Sequence, residues 1–549
     1  MSATVFRVAL VIEGEHVSAW QHLMLARLQA VAGVSLVAVI LRQPQAVPWL
    51  QGFASRLLHG LQVLDANLFK CPANARTAQS VLDLLGDISV CGAGGKRYQE
   101  ILGKQPVDAV IDLSGQEPLP ETILWARQGV WRYFFGRPAS LSDRFVGLQE
   151  YASGQDEIIC GLERIMETRN EPERLFYATT STDPVSLNRT VERTLWKMAD
   201  FMPQRLQELI QTGEETFYRH VQTRLITFPL VQNYVVRLPA LRLVLTAWLR
   251  YPFNVIRKLY QALFRTEQWV LLLGKAGNLH DVRVLEQFRK LIPPPDRFWA
   301  DPFVVEHAGG QYVFFEEMFY ARGIGHLACI RLNADGSHSE PVKILEKPYH
   351  LSYPFVFEYQ GQHYLIPETA GNNTLELYRC AEFPHRWVFE KNLMENVEAY
   401  DATLQEHQGR WWMFVSMRNH ASCSPSEALY LFHADNPLST NWQPHPQNPV
   451  VARASHARPA GRIFEVEGRL YRPSQNCAGA YGRGLNINLI QQLDERFYRE
   501  ETVSRCLPDG GNDMNGVHTL GVGKDIVVAD AVHVRRRLGM LDRWLVKHA

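Results

Sequence analysis

Ala300-Asp-Pro-Phe-Val-Val-Glu-His-Ala-Gly-Gly-Gln-Tyr-Val-Phe-Phe, residues 300–315, decides the fold of the larger half of this chain, because it is the first copy of a unit that returns. The later copies are Ser352-Tyr-Pro-Phe-Val-Phe-Glu-Tyr-Gln-Gly-Gln-His-Tyr-Leu-Ile, Tyr400-Asp-Ala-Thr-Leu-Gln-Glu-His-Gln-Gly-Arg-Trp-Trp-Met-Phe and Ala457-Arg-Pro-Ala-Gly-Arg-Ile-Phe-Glu-Val-Glu-Gly-Arg-Leu-Tyr. A weaker fifth is Gly516-Val-His-Thr-Leu followed by Asp525-Ile-Val-Val-Ala. Each reads as a polar leader, a short apolar strand, an acidic or glycine turn and an aromatic strand, recurring at intervals of about 50 to 60 residues. A hairpin of that size cannot bury its own apolar face. Copies must therefore stack, and radial stacking of β-sheets makes a propeller, here with five blades. The innermost strand of each blade points its leader into the central funnel, which brings Asp301, Tyr353, Asp401, Arg458 and His518 into one ring. Such a ring fits a functional pocket; the alternative is a buried polar network that only ties blades together.

Working outward, 549 residues exceed what one hydrophobic core accommodates, so at least two domains are expected. The composition, 46% hydrophobic and 21% charged, is that of a folded globular protein. Lys plus Arg equals Asp plus Glu at 57 each, so no overall positive field is available for phosphate backbones and nucleic acid is excluded as an expected partner. Eight scattered cysteines form no C-x-x-C pair, which argues against a disulfide framework or structural zinc. Met1 to Gly14 lacks the features of a signal peptide and reads as a first strand, giving a cytoplasmic expectation.

Upstream of the repeats, Val5–Ile12 and Val34–Leu41 are β-rich apolar runs flanking a helical stretch from Val17 to Val31, and Val107–Leu113 is a further strand followed by a helical Pro120–Gln128. Residues 1–200 are thus expected to form an α/β, Rossmann-like sheet domain. Its first loop, Glu13-Gly14-Glu15-His16, has no G-x-G-x-x-G cradle for a phosphate. Residues 201–266 read as a helical connector. From Gln222 to Thr266 there is no Asp or Glu, while Arg242, Arg250, Arg257 and Lys258 punctuate an apolar, aromatic background. The arginines interrupt it too often for a membrane span. Two readings stay open: an interdomain helical hairpin packed by its apolar face, or a basic amphipathic segment giving peripheral membrane contact through 222–266. Pro293-Pro294-Pro295 marks the start of a domain, with the propeller assigned to 267–549.

Arg297-Phe-Trp-Ala-Asp-Pro-Phe, Tyr349-His-Leu-Ser-Tyr-Pro-Phe, Ile366-Pro-Glu-Thr, Tyr400-Asp-Ala-Thr-Leu and Arg458-Pro-Ala-Gly resemble the propeller domain of glucosamine inositolphosphorylceramide transferases and of bacterial proteins of surface-polysaccharide loci. That domain is in turn similar to the family 43 type of five-bladed propeller glycosidases, and the resemblance covers roughly residues 267–535. It implies that Asp301 corresponds to the family's general base and Asp401 to its pKa-tuning aspartate. Where the family places its general acid, this chain has Arg458, which cannot release a proton near neutral pH. Ordinary inverting hydrolysis, with acid and base roughly 6.5 to 9.5 Å apart, is accordingly in doubt. An arginine beside two aspartates suits a phosphate or carboxylate, and Arg472 and Gln475 on the next strand extend that anion site or form an interblade salt bridge instead. Glu368 is the replacement candidate for an acid or base, and His518 for a proton shuttle. Strand alternation turns one of Glu316 and Glu317 into the funnel, and Glu317 is assigned to the substrate. His350 joins that substrate group or links blades. Trp299 is assigned to the rim as a sugar-stacking platform; Tyr312, Trp411 and Trp412 are assigned to the core.

Val107 to Gly115, Leu119-Pro-Glu-Thr-Ile-Leu and Gly129-Val-Trp-Arg-Tyr are similar to the sheet domain of folate-dependent formyltransferases. Those enzymes place an Asn-x-His pair where this chain has Trp131-Arg132-Tyr133, and an aspartate near where it has Asn170-Glu171-Pro172, which implies a degenerate domain. Together these readings predict a carbohydrate-active protein of bacterial surface-glycan assembly. Two forms are weighed: a glycosyltransferase or atypical glycoside-acting enzyme centred on Asp301 and Asp401, taking a sugar nucleotide as donor, and a non-catalytic carbohydrate-binding propeller. No cofactor is required, no metal cluster appears at ligand spacing, and calcium at the centre is the one ion the carboxylates would suit.

Overall fold

The computed structural model describes residues 5–44, 48–71, 74–85, 88–92, 107–136, 143–169, 171–227, 239–275, 282–333, 335–508 and 514–536. Two compact units divide between Asn254 and Val255, with His420–Ser424 grouped with the first.

The first unit is built on a seven-stranded sheet. Its order is Ser89–Gly92, Val34–Arg42, Phe6–Glu13, Ala109–Asp112, Val130–Phe135, Glu157–Ile165 and Glu173–Ser181. The first five pair in parallel, and the last two extend the sheet antiparallel. Val8 to Ile12 is an unbroken apolar run, every residue of it buried, as a central strand covered on both faces requires. The chain adds strands first to one side of Phe6–Glu13 and then to the other, so the sheet has a topological switch beside Ala109–Asp112. The helices Leu187–Met198 and Phe201–Thr212 bury Leu195, Met202, Leu206 and Leu209 in this unit. A third helix, Ala240–Phe264, runs across the division between units, while residues 228–238 of the predicted connector and Asn170 lie outside the described residues.

The second unit is a five-bladed propeller of four-stranded antiparallel sheets. Blade one is Arg297–Leu345, blade two Ser352–Glu395, blade three Ala399–Pro444 and blade four Phe464–Cys506, each a meander of consecutive strands. The fifth is composite. Leu520–Val522 and Ile526–Arg536 supply its inner strands, and Arg265–Lys275 and Arg289–Leu291, which precede the first repeat, supply the outer two. Eleven residue pairs join Arg265–Lys275 to Ile526–Arg536, so the propeller's first and last segments close the ring and leave no open edge there. The propeller therefore begins before the triple proline, within sequence that carries no copy of the repeat.

The glycine turn recurs with one geometry. Ala308-Gly309, Gln360-Gly361, Gln408-Gly409 and Glu467-Gly468 have φ of 47/73°, 52/75°, 52/75° and 50/73°, the pair of positive values a two-residue type I′ hairpin requires. The second member is glycine in all four. Aromatic strands fill the space between blades: Trp412 is fully buried, and Tyr312 and Trp411 pack against the cluster containing Phe314, Phe355 and Tyr378.

Candidate active site

The inner strands of the first three blades carry the same irregularity. Pairing with the neighbouring strand slips between Ala300 and Phe303, between Ser352 and Phe355, and between Tyr400 and Thr403. At each slip the leader adopts a left-handed conformation, with φ of 52° at Asp301, 47° at Tyr353 and 54° at Asp401. For a residue with a Cβ this costs about 1–3 kcal/mol, and a bulge re-aims its side chain. Three equivalent bulges thus turn three side chains toward the axis. The fourth blade does it differently: Arg458 precedes a short inner strand, and Gly461, at φ 121°, carries its amide to Tyr353. A Cβ at Gly461 would sit 2.1 Å from the Leu520 carbonyl oxygen, so only glycine fits there.

The centre is a carboxylate cluster braced by an arginine and a histidine. Asp401 accepts from Arg458 Nε at 2.6 Å and Nη2 at 3.1 Å, and from Gln475 Nε2 at 3.0 Å. Arg458 Nη2 also reaches Glu368 Oε2 at 3.1 Å. Asp301 accepts from the Thr519 hydroxyl at 2.7 Å and the Tyr353 amide at 3.2 Å, with His518 Nε2 3.7 Å away. Behind it Asp530, completely buried, accepts from the amides of Asp301, His518 and Thr519 and lies 2.6 Å from His518 Nδ1. Trp269, from the closing strand, stacks on the His518 ring at 4.0 Å.

Burial decides the protonation of this cluster. It pushes Asp301 up to about 6, with His518 opposing and the Asp401 and Asp530 charges reinforcing. Burial raises Glu368 well above the usual carboxylate range despite the Arg458 charge beside it, and Asp401 adds to the effect. Glu316 is likewise raised well above its usual value, by burial and then by Asp301 and Glu368. At neutral pH Asp301 is mostly ionised, while burial shifts both glutamates toward their protonated forms. Burial works against a charged His518 ring, but Asp530 and Asp301 outweigh it and lift its pKa.

Asp301, Asp401, Glu368, His518 and Arg458 are therefore brought together as the sequence predicts. Several other assignments are corrected. Of the Glu316–Glu317 pair, Glu316 joins the cluster. Glu317 instead accepts from Trp299 Nε1 at 3.0 Å and lies 3.1 Å from His326 Nε2, an ion-pair knot inside blade one that holds its carboxyl below the usual range against the opposing effect of burial. Trp299 is accordingly core, packed 5.1 Å from Phe315, and not a rim platform. Tyr353 is fully buried, its hydroxyl paired with Thr403 Oγ1 and the Gly461 amide, so it ties blades together and has no face for substrate. Arg472 makes a bidentate pair with Glu500 at 2.8 and 2.6 Å; both residues belong to blade four, so the pair is neither an anion site nor the interblade bridge expected from the sequence. Gln475 positions Asp401. Arg458 lacks a free fork for a phosphate because Asp401 occupies its Nε and Nη2; Nη1 faces Ser426 at 3.4 Å. His350 is partly open to solvent: its Nδ1 accepts from the Gly325 amide at 3.0 Å, and its Nε2 lies 3.3 Å from Glu316 Oε1.

Tyr481, Asp530 and Trp269 escape a repeat-based reading. Tyr481, 53% exposed, lies over the Arg458 guanidinium at 5.1 Å and edge-on to His518 at 5.4 Å, making it the aromatic lip at this site. Its signal is an aromatic residue in a glycine-rich loop, Gly479-Ala-Tyr-Gly, where Gly479 and Gly482 both have positive φ. For Asp530 the signal is a lone acid in an apolar strand. Asp301, His518 and Asp530 offer ligand atoms within 4.8 Å of one another. Asp530 already spends both oxygens on three amides and the ring, which leaves few oxygens for calcium.

Glu316→Gln is expected to stabilise the protein at neutral pH. A raised native pKa makes the native state hold a proton that the unfolded chain releases above its ordinary pKa of about 4.3, so that contribution is full at acid pH and lost as pH rises. The isosteric amide removes the loss, worth about 1 kcal/mol or roughly 2–4 °C in Tm. Calorimetry should show the gain at pH 7 and none near pH 4.

In the first unit, Trp131, Arg132 and Tyr133 lie together on the strand Val130–Phe135. Trp131 is buried against Phe217, and the Tyr133 hydroxyl donates to the Met198 carbonyl. Arg132 pairs with Glu163 and Glu117. A cavity of about 210 Å³ lies at the switch point, lined by Glu13, Asp112, Ser114 and Arg132 among others.

The second unit is thus a five-bladed propeller whose axis holds a buried set of carboxylates, an arginine and a histidine. Residues 290–522 match the family described as glucosamine inositolphosphorylceramide transferase 1, N-terminal. The glucosamine inositolphosphorylceramide transferases 1 of Oryza sativa subsp. japonica and of Arabidopsis thaliana are each 34% identical to this chain over 229 residues, 41% of this chain and 30% of theirs. The match thus spans under a third of those relatives' length. Among solved structures, a family 117 glycoside hydrolase of Zobellia galactanivorans aligns over 49% of this chain and 91% of its own at 11% identity and a TM-score of 0.32. The catalytic domain of Coprinopsis cinerea GH62 α-L-arabinofuranosidase aligns over 48% and 97% at 12% identity and a TM-score of 0.32.

Proposed function

We propose that the second unit is a carbohydrate-active propeller that acts on a glycosidic bond, with Glu368 as general acid and Asp301 as general base. The supporting observation is a pair of carboxyls in one buried cluster, Asp301 raised to about 6 and Glu368 raised well above its ordinary value, with Arg458 beside the second. Two carboxyls pushed apart by their surroundings are what acid–base chemistry at an acetal needs. The Glu368 proton passes to the leaving oxygen as the anomeric C–O bond breaks. An acceptor hydroxyl, from a sugar or water, forms the new C–O bond and gives its proton to Asp301. Exchange with solvent then resets both groups. Asp401 and Gln475 hold Arg458 beside Glu368, and Tyr481 provides a flat apolar surface for a sugar face. The relatives' names favour transfer to an acceptor over hydrolysis, and a sugar nucleotide is the donor to try first.

A second reading is a propeller that binds glycan without turnover. The observation favouring it is that Arg458, Asp401 and Gln475 already satisfy one another.

The test is to incubate the protein with sugar nucleotides and aryl glycosides and to follow the release of nucleoside diphosphate or phenol. Activity should rise as pH increases through about 6, where Asp301 ionises, and fall at higher pH as Glu368 loses its proton. Asp301→Asn should abolish turnover while ligand still raises Tm. Binding of free glycan with no turnover at any pH would leave the lectin reading.

A further inference from the structure

The helix Ala240–Phe264 is apolar on two opposite sides. One side, with Val244, Ala247, Tyr251 and Asn254, is buried. Trp248 donates to the Leu57 carbonyl at 3.1 Å and the Tyr251 hydroxyl to Asp65 at 3.2 Å, fastening it to the helix Trp49–Leu68. On the other side Leu245, Leu249, Phe253, Ile256, Tyr260 and Leu263 recur at intervals of three and four residues and are 50%, 78%, 65%, 65%, 53% and 61% exposed. At the amino end of the partner helix, Trp49 and Phe53 stack at 6.1 Å and are 75% and 38% exposed. Isolated exposed leucines need no explanation; a helix-long stripe of them does.

We propose that this stripe, with Trp49 and Phe53, docks the protein on an anionic lipid surface. Charge selects the occupant. Between residues 222 and 266 there is no acid, and Arg242, in the stripe, and Arg257, beside it, stand exposed on the same helix. Along the partner helix the only acid is Asp65, which is fully buried. A second copy pairing through the same face would set these cations against their own kind, whereas anionic headgroups would neutralise them. Large aromatic and aliphatic side chains then sit at the boundary between headgroups and acyl chains, with the arginine stems reaching outward. No described helix is long and apolar enough to cross a membrane, so the contact lies along the surface.

The test is flotation of the full chain with vesicles of phosphatidylcholine and of phosphatidylcholine containing phosphatidylglycerol. The native protein should float with the anionic vesicles, less so at high salt, and sediment with the neutral ones. Leu249→Ser combined with Phe253→Ser should lower the partition coefficient on the order of 100-fold. Because both residues are exposed, its Tm should match the native value. Three results would overturn the proposal: no flotation with anionic vesicles, equal flotation of the double variant or on neutral lipid, or a native dimer that the double variant dissolves into monomers.

Discussion

Arg458→Ala lowers the stability of the propeller by about 3–5 kcal/mol, the penalty of leaving buried carboxylates without their counter-charge. Arg458 is 6% exposed, and its guanidinium bridges Asp401 and Glu368, which belong to different blades, so solvent does not readily replace it. The loss should appear as a lower denaturant midpoint in chemical unfolding. Adding Asp401→Asn should recover part of it, because the amide no longer needs a cation, and that non-additivity measures the coupling between them. If Arg458→Ala unfolds at the native midpoint, the ion pair is not a structural brace and its role as an anion receptor should be reconsidered.

Glu368→Gln reduces turnover about 100- to 10,000-fold without lowering stability, because the amide keeps the shape but has no acidic proton to give. A glycoside with a strongly acidic phenol as leaving group needs no protonation and should recover most of the rate in this variant. Rates measured on paired good and poor leaving groups therefore separate the acid from a residue that merely positions substrate. Equal losses on both would remove Glu368 from the acid role. Glu316 would then be the carboxyl to examine, since burial raises it in the same way.

The relation between Glu316, Glu317 and Trp299 illustrates how far linear reasoning reaches. Alternation along a strand says that two adjacent glutamates face opposite ways, and it is correct on that point. It cannot say which one finds an internal partner. That depends on Trp299 and His326 arriving from the neighbouring strands, at Glu317's registers. The same holds for Arg472: its strand and blade follow from the repeat, but Glu500 lies 28 residues on and meets it only when blade four closes.

What the sequence determined by itself is the repeat and everything local to it. Four hairpins with glycine at the second turn position, apolar strands of the right length, and polar leaders at one phase define four blades and the leaders' common axis, because backbone conformation and the burial of apolar faces are settled within a few tens of residues. The tertiary structure alone decided how the fifth blade is completed, with outer strands from residues 265–275 and 289–291 that carry no trace of the repeat, since pairing between the propeller's two ends depends on the closed ring. It also decided protonation. Asp301, Glu316 and Glu368 are ordinary acids in the chain, and only their collective burial beside one another, with too few cations to balance them, turns one toward a base and the others toward acids.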